Sequence, residues 1–218
     1  MHDLEGILQA IKEHRIVMIY RGLQPAECLE VSRVLFDAGV RLFEVTSNSP
    51  GTIESIEMLH SEFGKEVLIG AGTVMTPQQV EEAANAGATY IISPNVNVEV
   101  IRKTKELGLI SIPGAMTPTE IEVAYRNGGD IIKVFPINHL GAGFITQLKG
   151  PLDSIDFMPS GGICLEMVED LFNAGACAIG IGVQLLGKDL VRFKRWDLLQ
   201  KRASEFIAAS TNRKKVLT

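Results

Sequence analysis

Histidine and cysteine are scarce in this chain, with four of the first and three of the second among 218 residues. A metal-dependent sugar-phosphate epimerase would need histidine and acidic ligands at several strand ends. His2, His14, His60 and His139 are dispersed, and the first three fall in predicted helices, so metal chemistry is disfavoured. Cys28, Cys164 and Cys177 are odd in number, lack ligand spacing and sit among apolar neighbours; they read as reduced core thiols of a cytoplasmic protein. No run of about 18 apolar residues occurs, and Met1-His2-Asp3-Leu4-Glu5 starts no basic-then-apolar leader, so neither a membrane span nor a signal peptide is expected. Clustered basic charge is missing apart from Arg213-Lys214-Lys215, and with a net charge of -5 a nucleic-acid partner is not expected. Long polar tracts and linkers are absent too. With 46% hydrophobic residues, the expectation is one globular domain over residues 1–218.

Short apolar runs alternate with amphipathic segments such as Pro25 to Ala38 and Pro77 to Ala86, the pattern of βα units on a parallel sheet. Eight strands are predicted: Ile16 to Tyr20, Leu42 to Val45, Val67 to Gly70, Tyr90 to Ile92, Leu109 to Ile112, Ile131 to Phe135, Ile155 to Met158 and Cys177 to Ile181. Gly39, Gly87 and Gly175 each stand where a helix needs a left-handed cap before the next strand. An open doubly wound sheet would want a glycine fingerprint after the first strand, and Tyr20-Arg21-Gly22-Leu23-Gln24 has none. The expected fold is therefore α/β, a TIM (β/α)8 barrel, with an extra N-terminal helix around Leu4 to Glu13 and a long last helix from about Leu190 to Ala208.

In such a barrel the residues ending the strands converge on one pocket. Lys133 stands out, because it lies in Asp130-Ile131-Ile132-Lys133-Val134-Phe135-Pro136, where a buried strand is expected. A lysine drawn out of water gives up its proton more readily and can form a Schiff base with a carbonyl compound. The second strand carries Glu44 among apolar neighbours, where a carboxyl of raised pKa would exchange protons near neutrality; simple neutralisation of Lys133 is the plainer alternative. One glycine cluster follows the seventh strand, Ser160-Gly161-Gly162-Ile163, and another lies at the eighth, Gly180-Ile181-Gly182; Gly161, Gly162 and Gly182 offer backbone N–H groups to a phosphate. Tight loop packing would place glycines there as well. Arg21, ending the first strand beside the eighth, is placed to add the positive charge.

These pieces in this order resemble the 2-keto-3-deoxy-6-phosphogluconate and 4-hydroxy-2-oxoglutarate aldolase family of class I pyruvate aldolases. The resemblance runs through Glu44-Val45-Thr46, Gly70-Ala71-Gly72-Thr73-Val74, Ile92-Ser93-Pro94-Asn95, Ile112-Pro113-Gly114, Ile132-Lys133-Val134-Phe135-Pro136 and Ser160-Gly161-Gly162-Ile163. It implies that Lys133 forms the Schiff base with pyruvate, that Glu44 moves protons, and that Thr73 and the Pro113-Gly114 turn shape the pyruvyl pocket. It further implies cleavage of a 2-keto acid substrate to pyruvate and an aldehyde, no metal or organic cofactor, and a homotrimer. Two departures stand out. Where the phosphogluconate branch carries an arginine after Glu-Val-Thr, this chain continues Ser47-Asn48-Ser49-Pro50, like the phosphogalactonate branch, so carboxylate binding falls to Thr73, backbone groups, Asn48 or Arg21. A serine usual after the last glycine is replaced by Val183, followed by Gln184. His139 lies near the sixth strand's end, more in keeping with a solvated loop than with the pocket. A non-catalytic sugar-phosphate-binding barrel is the alternative from another class.

Overall fold

The computed structural model describes residues 3–187 and 189–211; His2 and the basic run Arg213-Lys214-Lys215 lie outside them. Strands β1 (Ile16–Tyr20), β2 (Leu42–Thr46), β3 (Leu68–Gly72), β4 (Tyr90–Ile92) and β5 (Ile110–Ile112) pair in parallel, each with the next. A second parallel set contains β6 (Gly114–Ala115), β7 (Ile132–Val134) and β8 (Phe157–Pro159), while β9 (Ile179–Gly182) pairs with β1. Two joins close the ring. Bridges Phe157–Ala176 and Ser160–Gly180 link β8 to β9, and β5 and β6 form one barrel strand interrupted at Pro113, which has no N–H for the ladder. The Pro113 carbonyl still accepts from the Lys133 N–H at 2.9 Å. The eight-stranded barrel is thus present, its fifth strand in two pieces.

Around it lie α2 (Pro25–Asp37), α3 (Thr52–Phe63), α4 (Pro77–Asn85), α5 (Val98–Glu106), α6 (Pro118–Arg126), α7 (Ala142–Lys149), α8 (Leu165–Asn173) and α9 (Trp196–Thr211). The expected glycine caps are in place. Gly39, Gly87 and Gly175 have φ of +99°, +103° and +103°, and the residue after each returns its N–H to the helix, as Val40 does to Leu35 at 2.9 Å. At the other end of α4 and α6, Thr76 with Gln79 and Thr117 with Glu120 form reciprocal capping boxes ahead of a proline at the first turn. Thr117→Ala is expected to lower stability by about 0.5–2 kcal/mol, read as a drop in the urea midpoint at constant slope; an unchanged midpoint would show that the cap contributes nothing.

Side chains alternate along each strand between two cores. Ile16, Met18, Tyr20, Phe43, Val45, Ile132 and Val134 face the helices, whereas Val17, Leu42, Tyr90, Ile92, Ile110, Ile131 and Met158 fill the barrel interior. Helix α1 (Leu4–His14) closes the amino-terminal end: Ile11, wholly buried, joins the interior cluster, with Leu4, Ile7 and Leu8 packed against it. By the same alternation Glu44 on β2 and Lys133 on β7 point inward, one layer above this apolar floor. The start of β7 is pinned by Asp130, which accepts from the Ser111 N–H at 2.7 Å and from Lys105 Nζ at 2.7 and 2.8 Å.

Several boundaries differ from those read in the sequence. Apolar content extends the seventh strand back to Ile155, yet Ile155 is buried in the preceding loop, its N–H bonded to Leu152, and β8 begins at Phe157. The last helix begins at Trp196 instead of near Leu190, because Lys194 takes φ +49° and the Arg195 N–H closes a turn onto Leu190 at 2.8 Å. Cys28 and Cys177 are shielded thiols, which burial pushes up to about 11 and about 12. Cys164 corrects the expectation of three core thiols: it is exposed at the N-cap of α8, where a helix start emerges from the barrel rim. Among the described residues no helix is long and apolar enough to cross a membrane.

Candidate active site

The carboxyl ends of the strands surround a cavity of about 380 Å³, lined by Ile19 and Arg21 from the first unit, Thr73 from the third, Pro94 from the fourth and Lys133 with Phe135 from the sixth. Its other side is Ser160, Gly161, Gly162, Gly180, Gly182, Gln184 and Leu185. Most of the residues singled out in the sequence meet here. Glu44, Asn48 and Pro113 do not line it, Glu44 being wholly buried, and His139 lies exposed in the loop after β7, next to Asn138 at 3.1 Å.

Lys133 keeps only 5% of its surface exposed, and its Nζ lies 5.2 Å from the centre of the Phe135 ring. The sequence explains the position. Ile132 and Val134 bury the outer face of β7, so the lysine between them has the barrel interior as its only direction.

Glu44 is wholly buried, and neither carboxyl oxygen has a hydrogen-bond partner among the described residues. Burial raises its pKa above the ordinary carboxylate value, against the opposing pull of Lys133 first and Arg21 second. The carboxyl fits because the neighbouring strand makes room. Gly72 pairs with Thr46, and a Cβ on Gly72 would stand 1.8 Å from Glu44 Oε1. A Cβ on Gly70 would likewise meet the Tyr90 ring at 2.0 Å. These two glycines serve space, since neither has a positive φ.

Arg21 is tethered from two strands away. Its Nη1 donates to Asn48 Oδ1 at 3.0 Å and its Nη2 to Thr73 Oγ1 at 3.3 Å. Thr73 holds a left-handed conformation, φ +55°, which its carbonyl's bond from Ser47 Oγ (2.6 Å) helps to fix. The Asn48–Ser49 turn is bound in turn: Gly22 N–H donates to Ser49 Oγ at 2.9 Å, and Ser49 Oγ lies 2.8 Å from Thr46 Oγ1.

On the far side of the cavity Gly161 and Gly162 have φ of +95° and +71°, and Gly162 packs so closely on Asn138 that a Cβ would come within 2.7 Å. Gly180 and Gly182 keep the cavity open on β9. The Gln184 amide folds over Gly182, 2.7 Å from where a Cβ would be, so it occupies part of the space the sequence reading assigned to an anion. Gln184, Leu185, Ser160 and Pro94 were missed as pocket residues; only their place just beyond strand ends could have signalled them. At the first turn of α8 the Glu166 carboxyl is held below its ordinary range by its own N–H and by the Cys164 side chain.

An amine at a cavity wall and a buried carboxyl close enough to feel its charge, at the carboxyl end of a closed parallel barrel, are the equipment of the aldolases that work through a Schiff base. Comparison with known proteins narrows this class. The family model for KDPG and KHG aldolase matches residues 7–202. The 2-dehydro-3-deoxy-6-phosphogalactonate aldolase of Escherichia coli (strain K12) is 36% identical over 171 residues, 78% of this chain and 83% of that one. The 2-dehydro-3-deoxy-phosphogluconate aldolase of Haemophilus influenzae is 29% identical, over 94% and 97% of the two chains. Among solved structures, a native KDPGal structure superposes with a TM-score of 0.81 at 33% identity, over 89% of this chain and 93% of its own. A Legionella pneumophila KDPG aldolase with pyruvate held as a covalent carbinolamine superposes with a TM-score of 0.82 at 25% identity, over 90% and 96%. The chain belongs to the KDPG and KHG aldolase family. It is an aldehyde-lyase.

Proposed function

We propose that this aldolase cleaves a 2-keto-3-deoxy-4-hydroxy acid to pyruvate and an aldehyde through an iminium on Lys133, with Glu44 as the proton carrier. Neutral Lys133 adds to C2 of the keto acid to give a carbinolamine, and loss of water leaves the iminium. Removal of the 4-hydroxyl proton lets the C3–C4 pair flow toward the iminium, releasing the aldehyde and leaving an enamine. Protonation at C3 and addition of water then return pyruvate and the free amine. Glu44 is buried, has no hydrogen-bond partner among the described residues, and has its pKa raised by that burial, which suits it to carry a proton.

The observation that carries this reading is the shielded amine of Lys133 at the cavity wall with Glu44 close enough to feel its charge. A phosphogalactonate-type substrate is favoured over a phosphogluconate-type one, because Ser47-Asn48-Ser49-Pro50 stands where the latter branch carries arginine and two relatives, at 36% and 35% identity, bear the phosphogalactonate name. We further propose one domain over residues 1–218, a homotrimer as elsewhere in the family, and cytoplasmic work without a metal or organic cofactor.

The test is reduction with borohydride in the presence of pyruvate, followed by peptide mass spectrometry. A reduced pyruvyl adduct on Lys133 is expected. Folded protein with no adduct, alongside a control aldolase that labels, would favour a barrel that binds sugar phosphates without turning them over.

A further inference from the structure

We infer that Tyr90 is a positioning residue for Glu44: its ring, laid across Gly70, and its hydroxyl, bonded to the Phe43 carbonyl, seat the carboxyl on β3 and close the barrel interior beneath it. The inference rests on the proton-carrying role given to Glu44 above. Three neighbouring strands meet in one register, with Gly70 on β3 paired to Glu44 on β2 and to Tyr90 on β4. All three positions point into the barrel. Gly70 has no side chain to offer, and the Tyr90 ring takes that space, since a Cβ there would stand 2.0 Å from Cε2 of the ring. Crossing β3 in this way, the phenol reaches β2 and donates to the Phe43 carbonyl at 2.6 Å. That carbonyl belongs to the residue before Glu44. At the next inward position of β3, Gly72 makes room for Glu44 Oε1, so the two missing side chains of β3 are replaced from either side, one by the carboxyl and one by the ring. Tyr90 is wholly buried and belongs to the interior cluster with Leu42, Ile92 and Ile110. Its proton is engaged by a backbone carbonyl, and neither Glu44 oxygen has a hydrogen-bond partner among the described residues. The phenol thus holds the strand and keeps water out without satisfying the carboxyl. That the two are close shows in their electrostatics: after burial, the charge of Glu44 and then that of Tyr20 raise the Tyr90 pKa. The charges acting on Glu44 itself come from elsewhere, Lys133 on β7 and Arg21 at the end of β1.

Two substitutions separate the ring from the bond. Tyr90→Phe keeps the ring over Gly70 and removes the hydrogen bond, whereas Tyr90→Leu removes both, its shorter side chain no longer spanning β3. The readout is exchange of pyruvate methyl protons into deuterium oxide, because that step uses the proton carrier and needs no aldehyde. For Tyr90→Phe the exchange kcat is expected to fall roughly three- to tenfold, with the pyruvate KM within about twofold and Lys133 still fully trapped by borohydride. For Tyr90→Leu the fall should be on the order of 10- to 100-fold. This second variant also opens room under a carboxyl with unmet hydrogen-bonding capacity, where water can enter and favour the charged form, so the acid limb of its exchange profile should move to lower pH. A tyrosine that served only the fold would lower the melting temperature and leave that limb where it was, and such a result would overturn the inference. Neither change should add anything on top of Glu44→Gln, because the whole effect passes through that carboxyl. Additive losses in that background would also overturn it, as would a Tyr90→Phe protein that exchanges at the wild-type rate or whose loss lies in KM. If Tyr90→Leu does not fold, Tyr90→Phe and its cycle with Glu44→Gln decide alone. Wild-type protein that neither exchanges nor traps pyruvate would remove the proposed function itself; a wild type competent in both, with an additive cycle, removes only the role of Tyr90.

Discussion

Lys133→Met is expected to abolish aldol cleavage, lowering kcat on the order of 10⁴-fold or more, and to leave no borohydride adduct with pyruvate. The reason is specific to covalent catalysis. Without an amine the C3–C4 pair has no iminium to flow into, and no other lysine lines the cavity among the described residues. Methionine is the informative replacement because it keeps an unbranched chain of similar volume between Ile132 and Val134, so β7 should retain its pairing with Pro113 and β8. Far-ultraviolet circular dichroism and the melting temperature are expected to stay close to wild type. Retained turnover in this variant would remove Lys133 from the chemistry. A collapsed melting temperature would show that the amine serves the fold.

The eight strands were legible because a parallel barrel buries both faces of each strand, which writes short apolar runs, and because helix ends such as Asp37-Ala38-Gly39 announce themselves by a residue that tolerates positive φ. Strand ends were less so. Ile155 is as apolar and buried as a strand residue, and only its missing ladder bonds tell it apart. The role of α1 was hidden too, since an amphipathic pattern says that Ile11 is buried but not that it plugs a barrel. Lys133 and Glu44 could be read because a charge inside an apolar run is itself a signal. The Arg21 tether could not: its partners stand 27 and 52 residues away, and their contact depends on three strand ends converging, which no local pattern encodes. Gln184 over Gly182 is of the same kind, a side chain placed by the turn after β9.

Glu44→Gln should move activity and stability in opposite directions. Loss of the proton carrier is expected to slow pyruvate methyl exchange by about 10²–10⁴-fold, with cleavage slowed alongside it. Stability should respond through the raised pKa. Because the folded state holds the Glu44 proton more tightly than the unfolded chain does, folding takes up a proton over the interval between the ordinary carboxylate value and the raised one, and wild-type stability falls as pH rises through that interval. The slope contributed by this one group can reach about 1.4 kcal/mol per pH unit. Glutamine has no proton to lose, so the variant lacks that slope: below the ordinary carboxylate range the two proteins differ by a constant set by the amide's own packing beside Gly72, and as pH rises the variant gains on the wild type until Glu44 is fully ionised. Denaturant titrations across this range would detect the divergence. Parallel pH profiles would mean that Glu44 ionises in the folded state as easily as in the unfolded chain, and unslowed exchange would take it out of the proton path. The expected result is a carboxyl whose burial, with no hydrogen-bond partner among the described residues, weakens the fold at neutral pH.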